Sequence, residues 1–405
     1  MPTKTKPEFD IVLYGATGFT GKLTAEYLAA RMIDTTFTFA LAGRDTARLE
    51  DVKDGLAAIN PACNKMTIIA ADAHDQDALE SMVRRTQVVL STVGPYAKYG
   101  EPLIRACAEQ GTDYVDITGE VGFVADMIEK YDAIAQDNGA RIVSCCGFDS
   151  IPADLGTWLA VGELGDEQPI ELNCYLRFSS TNRQPLSSIS GGTWQSALGF
   201  MRLSEIQRQR QALADLDEFA GIDRHVRLAT PQPHYRRETS SWAIPAPLPD
   251  IEVVMRSASL MKRYGPDFQY GHYFEVDSIP TLLLGAWGAG TVFTLAQFKP
   301  TRDLLKRLRP AGEGPNEEER ARNSFCLTIV GSTASGRRVI VEVSGGDPGY
   351  GETSRMVSEA ALCLAQDRRR LNRNKGLITP AAAMGKPLLE RLQEAGLRFE
   401  VVESD

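Results

Sequence analysis

Three glycines at intervals of three residues follow the first apolar run of the chain. The stretch is FDIVLYGATGFTGKLTAEYL, residues 9–28, and a helical pattern follows Gly15, Gly18 and Gly21. In a strand–turn–helix unit the first glycine allows a sharp turn, the second lets the backbone approach a phosphate, and the third lets the helix pack on the strand. The strand–turn–helix context therefore predicts a dinucleotide-binding turn, although the spacing is G-x-x-G-x-x-G where the fingerprint of such turns has G-x-G-x-x-G. A purely structural glycine turn is the alternative.

The residue after the second apolar run predicts which dinucleotide is bound. The run FTFALAGRD ends at Gly43 and Arg44, near the position where a dinucleotide fold presents its ribose-binding residue. An acid there would accept hydrogen bonds from the 2′-OH of NAD, whereas a guanidinium suits the 2′-phosphate of NADP by charge and by its planar donors. We therefore expect NADP as the cofactor. The alternative is that Arg44 is an ordinary exposed loop arginine.

Apolar runs of strand length alternate with segments of helical length from Phe9 to about Cys146. Because parallel neighbours need crossover connections, this alternation predicts an α/β fold with an N-terminal Rossmann domain on a doubly wound parallel sheet. The predicted strands are DIVLY, FTFALA, MTIIAA, QVVLSTV, DYVDI and ARIVSC.

The alternation is lost beyond Leu155, where longer strands are predicted. These are PIELNCYLRFSS, SFCLTIVGS and RRVIVEVSGG, with the helix GETSRMVSEAALCLAQD lying on their sheet. The pattern predicts a second α+β domain built on a largely antiparallel sheet. Residues 201–262 are polar and dotted with proline, and they fit either a mobile insertion or a wrapping loop.

We predict three segments along the chain. Residues 1–155 form the NADP-binding Rossmann domain, and residues 156–375 form a domain for substrate binding and dimerisation. Residues 376–405 supply a loop and a final helix that return to the first domain. A length of 405 residues, too long for one ordinary core, agrees with two domains.

Composition excludes several classes of protein. The net charge of −9, without a broad basic bias, does not favour nucleic-acid binding. The N-terminus MPTKTKPEFD lacks the apolar region of a secretory signal. Seven cysteines without C-x-x-C or Cys/His metal spacing fit small buried apolar residues in a reducing cytoplasm, and no metal site is expected.

Residues that follow the strands are candidates for the site, because ligands bind at the carboxyl ends of strands in open α/β sheets. Asp72 follows the third strand and suits the adenine amino group as an acceptor, while Gly94 and Pro95 would let the backbone approach the nicotinamide. The predicted cofactor-binding residues are Gly15, Ala16, Thr17, Gly18, Phe19, Thr20, Gly21, Gly43, Arg44, Asp72, Thr92, Val93, Gly94 and Pro95.

The proton donor is less well specified, since no Tyr-x-x-x-Lys pair lies where a short-chain dehydrogenase would place it. Tyr27, with Arg31 four residues on, falls in the first helix, far from the strand ends. The candidates are Tyr96, Tyr99, Asp149 or water. Tyr96 comes first because it follows the loop expected near the nicotinamide, and the alternative is a ring that packs against the cofactor. Asp149 is either a catalytic residue or the N-cap of a helix.

The segment IPTLLLGAWGAGTVFTLAQF, residues 279–298, carries no charge over a length that could cross a bilayer. The basic stretch KPTRDLLKRLRP follows it directly, so residues 279–309 could lie on an anionic membrane surface. The alternatives are a transmembrane span, a buried helix, or an apolar wall of a substrate or dimer site. A second basic cluster, residues 367–375, is either a solvated face or a receptor for an acidic carrier protein or phosphate groups.

Five stretches together identify a family. They are YGATGFTGKLTAEYL, LAGRD, VVLSTVGPYAKYGEPLIRACAEQGTDYVDITGE, CGFDSIPADL and GLITPAAAMG. They resemble the saccharopine dehydrogenase-like oxidoreductases, most closely the mycobacterial branch of trans-acting enoyl reductases. The resemblance is strong over the first 155 residues, clear over the last 30 and weak over residues 201–263. It implies an N-terminal NADP-binding domain, a second α/β domain that interrupts the chain, and a small-molecule or acyl substrate.

By this resemblance, NADPH would deliver a hydride to the β-carbon of an α,β-unsaturated thioester on a polyketide-type lipid, and a proton would be added at the α-carbon. A saccharopine-type substrate is disfavoured because its three carboxylates would need converging cations, and the expected substrate region has no such cluster. The alternative function is an NADP(H)-binding protein without turnover that associates with membranes or lipid. A homodimer through the second domain is also expected.

Overall fold

A computed structural model describes most of the chain. The described residues are 7–180, 224–246, 248–308 and 316–404, with six single positions between 194 and 211. The chain divides into two compact units. Unit 1 comprises Met1–Thr118, Phe123–Gly147 and Tyr350–Ala395. Unit 2 comprises Gly119–Gly122, Phe148–Gly349 and Gly396–Asp405.

Unit 1 is built on a parallel sheet of seven strands. They are β1 (Phe9–Tyr14), β2 (Phe39–Gly43), β3 (Ile68–Ala70), β4 (Thr86–Ser91), β5 (Asp113–Asp116), β6 (Arg141–Val143) and β14 (Gly376–Leu377). Their order is β14-β6-β5-β4-β1-β2-β3. The order in which the chain adds strands to the sheet reverses between β1 and β4, as is typical of a dinucleotide-binding fold. All six predicted strands are present, which confirms the predicted Rossmann fold; the two-residue β14 was not predicted.

Helices connect and cover these strands. They are α1 (Phe19–Asp34), α2 (Thr46–Ile59), α3 (Gln76–Val83), α4 (Tyr96–Tyr99), α5 (Glu101–Gln110), α6 (Val121–Asn138), α12 (Thr353–Gln366), α13 (Pro380–Ala383) and α14 (Gly385–Glu394). Local sequence starts several of them. Asp45 accepts a hydrogen bond from the Arg48 N–H at 3.1 Å, and Asp75 accepts one from the Ala78 N–H at 3.0 Å. Both aspartates are N-caps that satisfy a donor of the first helical turn.

Helix α12 belongs to unit 1, so its predicted place on the second sheet was wrong. It packs against α1, β4 and β5. Its buried Glu359 accepts hydrogen bonds from the Tyr27 hydroxyl at 2.7 Å and from Arg31 Nε at 2.8 Å, and it pairs with Arg391 of α14 at 3.1 Å. Nearly all of α12 is buried. The apolar residues in its sequence predict that the helix is buried, but they do not indicate which sheet it covers.

Unit 2 is built on a mixed sheet of eight strands. They are β7 (Ile170–Ser180), β8 (His225–Leu228), β9 (His234–Arg236), β10 (Ser241–Pro245), β11 (Asp267–Val276), β12 (Asn323–Thr333), β13 (Arg338–Gly345) and β15 (Arg398–Ser404). The order is β15-β13-β12-β7-β11-β10-β9, and β8 pairs with β11. Strand β11 is parallel to β7 and β8, and the other pairs are antiparallel. The largely antiparallel sheet was predicted, with three of its strands.

The helices of unit 2 are α7 (Ile151–Leu164), α8 (Asp250–Leu260), α9 (Ile279–Gln297), α10 (Lys299–Arg307) and α11 (Glu317–Ala321). Helix α7 packs on β12 and β13 at Gly156, where a Cβ would lie 2.5 Å from Ile329 Cδ1. Residues 224–262 form β8, β9, β10 and α8, and much of 201–223 lies outside the described residues. Within the part of the chain that the structure describes, no helix has both the length and the hydropathy to cross a membrane.

The seven cysteines have free thiols, and six of them are buried. This agrees with the prediction that they serve as small apolar residues. The chain end forms the predicted helix as α14 in unit 1, then continues as β15, which pairs with β13 in unit 2.

Candidate functional site

The glycine turn joins β1 to α1 at the carboxyl end of the strand. Gly15 has φ 103°, a backbone conformation that L-residues with side chains rarely adopt. A Cβ on Gly21 would lie 2.2 Å from the Gly15 carbonyl oxygen, so α1 could not keep its close contact with the turn. A Cβ on Gly18 would meet nothing nearer than 3.5 Å. The fold therefore requires the first and third glycines, and the middle glycine borders open space.

The N-terminus of α1 has no side-chain cap, because Gly18 occupies the N-cap position. The first N–H groups of an α-helix have no partner within the helix, and they carry its partial positive charge. An anion placed beside Gly18 would accept hydrogen bonds from these groups. The uncapped helix and the open space beside Gly18 therefore fit the diphosphate of a dinucleotide.

Thr92 and Val93, which follow β4, lie against the glycine turn. The Thr92 N–H donates to the Tyr14 carbonyl at 2.9 Å, and the Thr92 hydroxyl donates to the Gly15 carbonyl at 3.1 Å. A Cβ on Gly15 would lie 2.6 Å from Val93 Cγ2. Both side chains thus fix the shape of the turn. The next two residues, Gly94 and Pro95, are joined by a cis peptide bond.

Arg44 and Asp72 lie at the ends of β2 and β3, beside the end of β1. Arg44 is exposed and makes no hydrogen bond or ion pair with any residue that the structure describes. Asp72 Oδ1 accepts the His74 N–H at 2.8 Å. Burial raises the pKa of the Tyr14 hydroxyl to about 12; the Asp72 charge acts in the same direction and the Arg44 charge opposes it. The two charges therefore act near the same strand end, where the adenosine part of a dinucleotide is expected.

Tyr96 lies in the core of unit 1 and is 5% exposed. Its hydroxyl donates to the Ser91 carbonyl at 3.0 Å and accepts the Ile117 N–H at 3.4 Å. Its ring packs 6.4 Å from that of Phe123. Because the hydroxyl links the ends of β4 and β5, the structure favours a structural role for Tyr96 over proton donation to a substrate.

Asp149 keeps an exposed surface and makes no hydrogen bond with a described residue. It is not the N-cap of α7, since Ser150 occupies that position, so the N-cap alternative was wrong. Desolvation by the surrounding protein raises the pKa of the Asp149 carboxyl above its ordinary value. Burial, and then the charge of Asp149, raise the pKa of Asp250 at the start of α8. Of the predicted proton donors, Asp149 is thus an accessible acid with an increased affinity for its proton.

Asp116, which was not predicted, ends β5 and is fully buried. Its Oδ1 accepts the N–H groups of Thr118 and Cys145, both at 3.0 Å, and its Oδ2 accepts the Ser144 hydroxyl at 3.1 Å. Cys145 has φ 61°, an uncommon value for a residue with a side chain. Asp116 therefore fixes the loops after β5 and β6. An acid that directly follows an apolar strand, as in DYVD, is the sequence signal that could have identified it.

Replacing Asp116 by asparagine should remove a pH dependence of stability. Burial raises the pKa of Asp116 to about 6, more than the hydrogen bonds lower it. Because the folded state then binds its proton more tightly than the unfolded state, the stability contributed by this group is lost as pH rises from about 4 to about 6. The loss is about 3 kcal/mol, on the order of 1.4 kcal/mol per pH unit.

Urea unfolding of the wild type and Asp116→Asn at pH 4 and pH 7 tests this expectation. The free energy of unfolding of the variant should gain about 2–3 kcal/mol relative to the wild type over this interval. Equal pH slopes for the two proteins would show that Asp116 does not titrate in this range.

Comparison with known proteins agrees with this geometry. The family model "Saccharopine dehydrogenase NADP binding domain" matches residues 11–143. A Mycobacterium tuberculosis protein assigned as a trans-acting enoyl reductase is 39% identical over 428 aligned positions, which cover 98% of each chain. The trans-acting enoyl reductase of Mycobacterium ulcerans is 35% identical over 423 positions, covering 96% of this chain and 97% of its own.

A solved structure resembles the fold over its whole length. Apo saccharopine dehydrogenase (L-Glu forming) from Saccharomyces cerevisiae aligns with a TM-score of 0.57, covering 98% of this chain and 100% of the yeast chain. The sequence identity is 13%, so the comparison with the yeast enzyme concerns the fold alone.

Proposed function

The chain belongs to the trans-acting enoyl reductases of the saccharopine dehydrogenase-like family, and from this premise we propose that it reduces the carbon–carbon double bond of an enoyl thioester with NADPH. The observation that carries the proposal is the turn at Gly15, Gly18 and Gly21 with Arg44 beside it, within a domain that matches the family's NADP-binding model. We further propose that the acyl group of the substrate is hydrophobic.

The residues of unit 1 fit NADPH by their chemistry. The N-terminal backbone of α1 beside Gly18 would bind the diphosphate, and Arg44 would pair with the 2′-phosphate. At Gly94 and Pro95 the protein backbone could lie close to the nicotinamide. NADPH supplies the hydride when bound, and the protein contributes position and electrostatics.

Reduction of the double bond also needs a proton at the α-carbon, and we assign its delivery to Asp149. A carboxyl group with a raised pKa holds a proton to higher pH than an ordinary aspartate and can donate it as a general acid. Tyr96 is the weaker candidate, because its proton is donated to Ser91.

We propose that a separate protein presents the acyl chain, as the term trans-acting in the names of the relatives implies. The basic cluster 367–375 is a poor choice for the contact with that protein, because several of its charges are paired within unit 1. Arg368 pairs with Asp113 at 3.0 Å, and Arg370 pairs with Glu390. A saccharopine-type reaction remains the less favoured alternative.

The cellular location and the oligomeric state of the protein are proposed independently of its reaction. We propose a cytoplasmic protein that makes peripheral contact with lipid through residues 279–309, of which 309 lies outside the described residues. A homodimer through unit 2 stays a prediction, which the molar mass in solution would test.

The first experiment is a fluorescence titration with NADPH and NADH, followed by NADPH oxidation with enoyl thioesters of increasing chain length. An enoyl reductase should consume one NADPH per thioester and yield the saturated product. Tight NADPH binding without turnover of free or carrier-bound thioesters would favour the NADP(H)-binding protein without turnover. Absence of binding would contradict the cofactor assignment.

Replacing Arg44 by aspartate should exchange the cofactor preference. Loss of a charge-assisted contact with the 2′-phosphate, together with a new like charge, should raise the Kd for NADPH by about 100-fold, and the Kd for NADH should change little. Titration of both cofactors measures the change. Arg84→Asp makes the same charge change at an exposed position that directly follows α3, and it should leave both affinities unchanged. Equal shifts in the two variants would contradict a specific role for Arg44.

A further inference from the structure

Exposed apolar side chains are concentrated in one short part of unit 2. Of the thirteen large apolar side chains that are exposed in the described part of the chain, five lie between positions 287 and 308. We call them the apolar face: Trp287 (74% exposed), Leu295 (36%), Phe298 (63%), Leu304 (62%) and Leu308 (60%). Soluble proteins usually carry such residues singly, and a cluster marks an interaction site.

Helical geometry places the α9 part of this face on one side. Trp287, Thr291 and Leu295 follow one another at intervals of four residues in α9, and all three are exposed. Phe298, which directly follows the helix, is also exposed. Opposite them, the buried Ala296 packs in a small core with Trp194 and Leu305. Trp194 Nε1 donates to the Leu305 carbonyl at 2.7 Å and so ties α10 to the same core. The pair α9–α10 is therefore anchored on one side and open to solvent on the other.

The charges beside the apolar face have one predominant sign. Residues 279–298 carry none, and α10 carries Lys299, Arg302, Lys306 and Arg307 against the single carboxylate Asp303. Arg302 donates to the Ala296 carbonyl at 2.8 Å, and Lys306 lies 3.7 Å from Asp303. This excess of positive charge occurs in a chain whose net charge is −9. It is a local feature beside exposed apolar groups.

We propose that the apolar face docks on an anionic lipid surface, with its side chains among the acyl chains and headgroups and the α10 cations against the lipid phosphates. Tryptophan suits this boundary because its ring is apolar and its N–H is polar. Basic residues near such a surface strengthen binding by electrostatic attraction. A second copy of the chain is a poorer partner, because a two-fold interface would bring the same cations together. This docking proposal does not depend on the enoyl reduction proposed above.

Vesicle flotation tests the docking with the full-length protein. The wild type should float with vesicles of phosphatidylcholine and phosphatidylglycerol and much less with phosphatidylcholine alone, and 0.5 M salt should weaken the binding. Trp287→Ala with Phe298→Ala should lower the partition coefficient about 30-fold or more. Lys306→Gln with Arg307→Gln should lower it about 10-fold or more on the anionic vesicles.

Matched controls separate docking from general effects of substitution. Ile33→Ala removes an apolar side chain that is 66% exposed in unit 1, and Lys386→Gln removes an exposed cation there. Both should float like the wild type. Circular dichroism melts and NADPH titration should show that all variants keep their fold.

Tryptophan fluorescence reports the depth of insertion. Phosphatidylglycerol with brominated acyl chains should quench the wild type, and Trp287→Phe should lose most of that quenching while it still floats. The protein also contains Trp158, Trp194 and Trp242, which supply the residual signal.

Three outcomes would overturn the proposal. The wild type stays unbound with both vesicles, or it binds both equally without an effect of salt. In the third, the wild type does not bind vesicles but self-associates with increasing concentration or binds an acidic carrier domain. If the apolar variants lose that association, the partner of the apolar face is a protein. Enoyl reduction without vesicle binding would contradict this proposal alone, and vesicle binding without NADPH-dependent turnover would contradict only the proposed function.

Discussion

Gly21→Ala should abolish NADPH binding in the accessible concentration range, raising the Kd at least about 100-fold, and it should lower the stability of unit 1. The added Cβ would lie 2.2 Å from the Gly15 carbonyl oxygen and 2.8 Å from Thr92 Oγ1. Because the first contact is with backbone, α1 must move away from the turn. The backbone donors of its first turn then leave the position that suits a diphosphate. Fluorescence titration and thermal unfolding measure the two effects.

Gly18→Ala is the matched control for the stability effect, because it adds the same methyl group three residues earlier. Its Cβ would have only the Gly15 carbonyl oxygen nearby, at 3.5 Å, so the free energy of unfolding should change by less than about 1 kcal/mol. The methyl group would nevertheless enter the open space assigned to the diphosphate, and NADPH affinity should fall. Unchanged NADPH affinity in both variants would show that the cofactor binds elsewhere.

Asp149→Asn should lower kcat for enoyl reduction by about 10²- to 10⁴-fold and leave NADPH affinity unchanged, since a positioned general acid contributes a factor of this size. The donor must be protonated, and desolvation raises the pKa of the Asp149 carboxyl. In the wild type kcat should therefore fall as pH rises through that pKa. The variant should lose this dependence. Steady-state kinetics over a range of pH with a saturating enoyl thioester provide the measurement.

Tyr96→Phe distinguishes the two predicted donors. It removes the hydroxyl that donates to Ser91 and keeps the ring that packs against Phe123. We expect a loss of about 1 kcal/mol of stability with kcat within a few-fold of the wild type. A large loss of kcat in Tyr96→Phe, with a small one in Asp149→Asn, would reverse the assignment.

The parts of the fold that could be predicted are those with strong local signals. Each of the six predicted strands of the first sheet is a short apolar run followed by turn residues, and the glycines mark where the backbone has no room for a side chain. The position of Arg44 at the end of β2 could be predicted because it depends on spacing along the chain, and its role in cofactor binding stays a prediction.

The remaining features depend on contacts between distant parts of the chain. Helix α12 carries a sequence pattern of burial, but its partners Tyr27 and Arg31 lie more than 300 residues away. Asp116 is important because loops after two different strands donate to it. The sequence favours Tyr96 as the proton donor because of its position after a strand, and only the structure shows that its hydroxyl donates to the Ser91 carbonyl.

The return of the chain to unit 1 has a consequence for the order in which the protein is made. After Gly147 a ribosome must add roughly 200 residues before it reaches Tyr350 and the helix that carries Glu359. At about 5–20 residues per second this takes about 10 to 40 s. Until then α1 lacks the buried carboxylate that its Tyr27 and Arg31 bind. We therefore expect stable cofactor binding only when synthesis is nearly finished, so that truncated chains would not compete for NADPH.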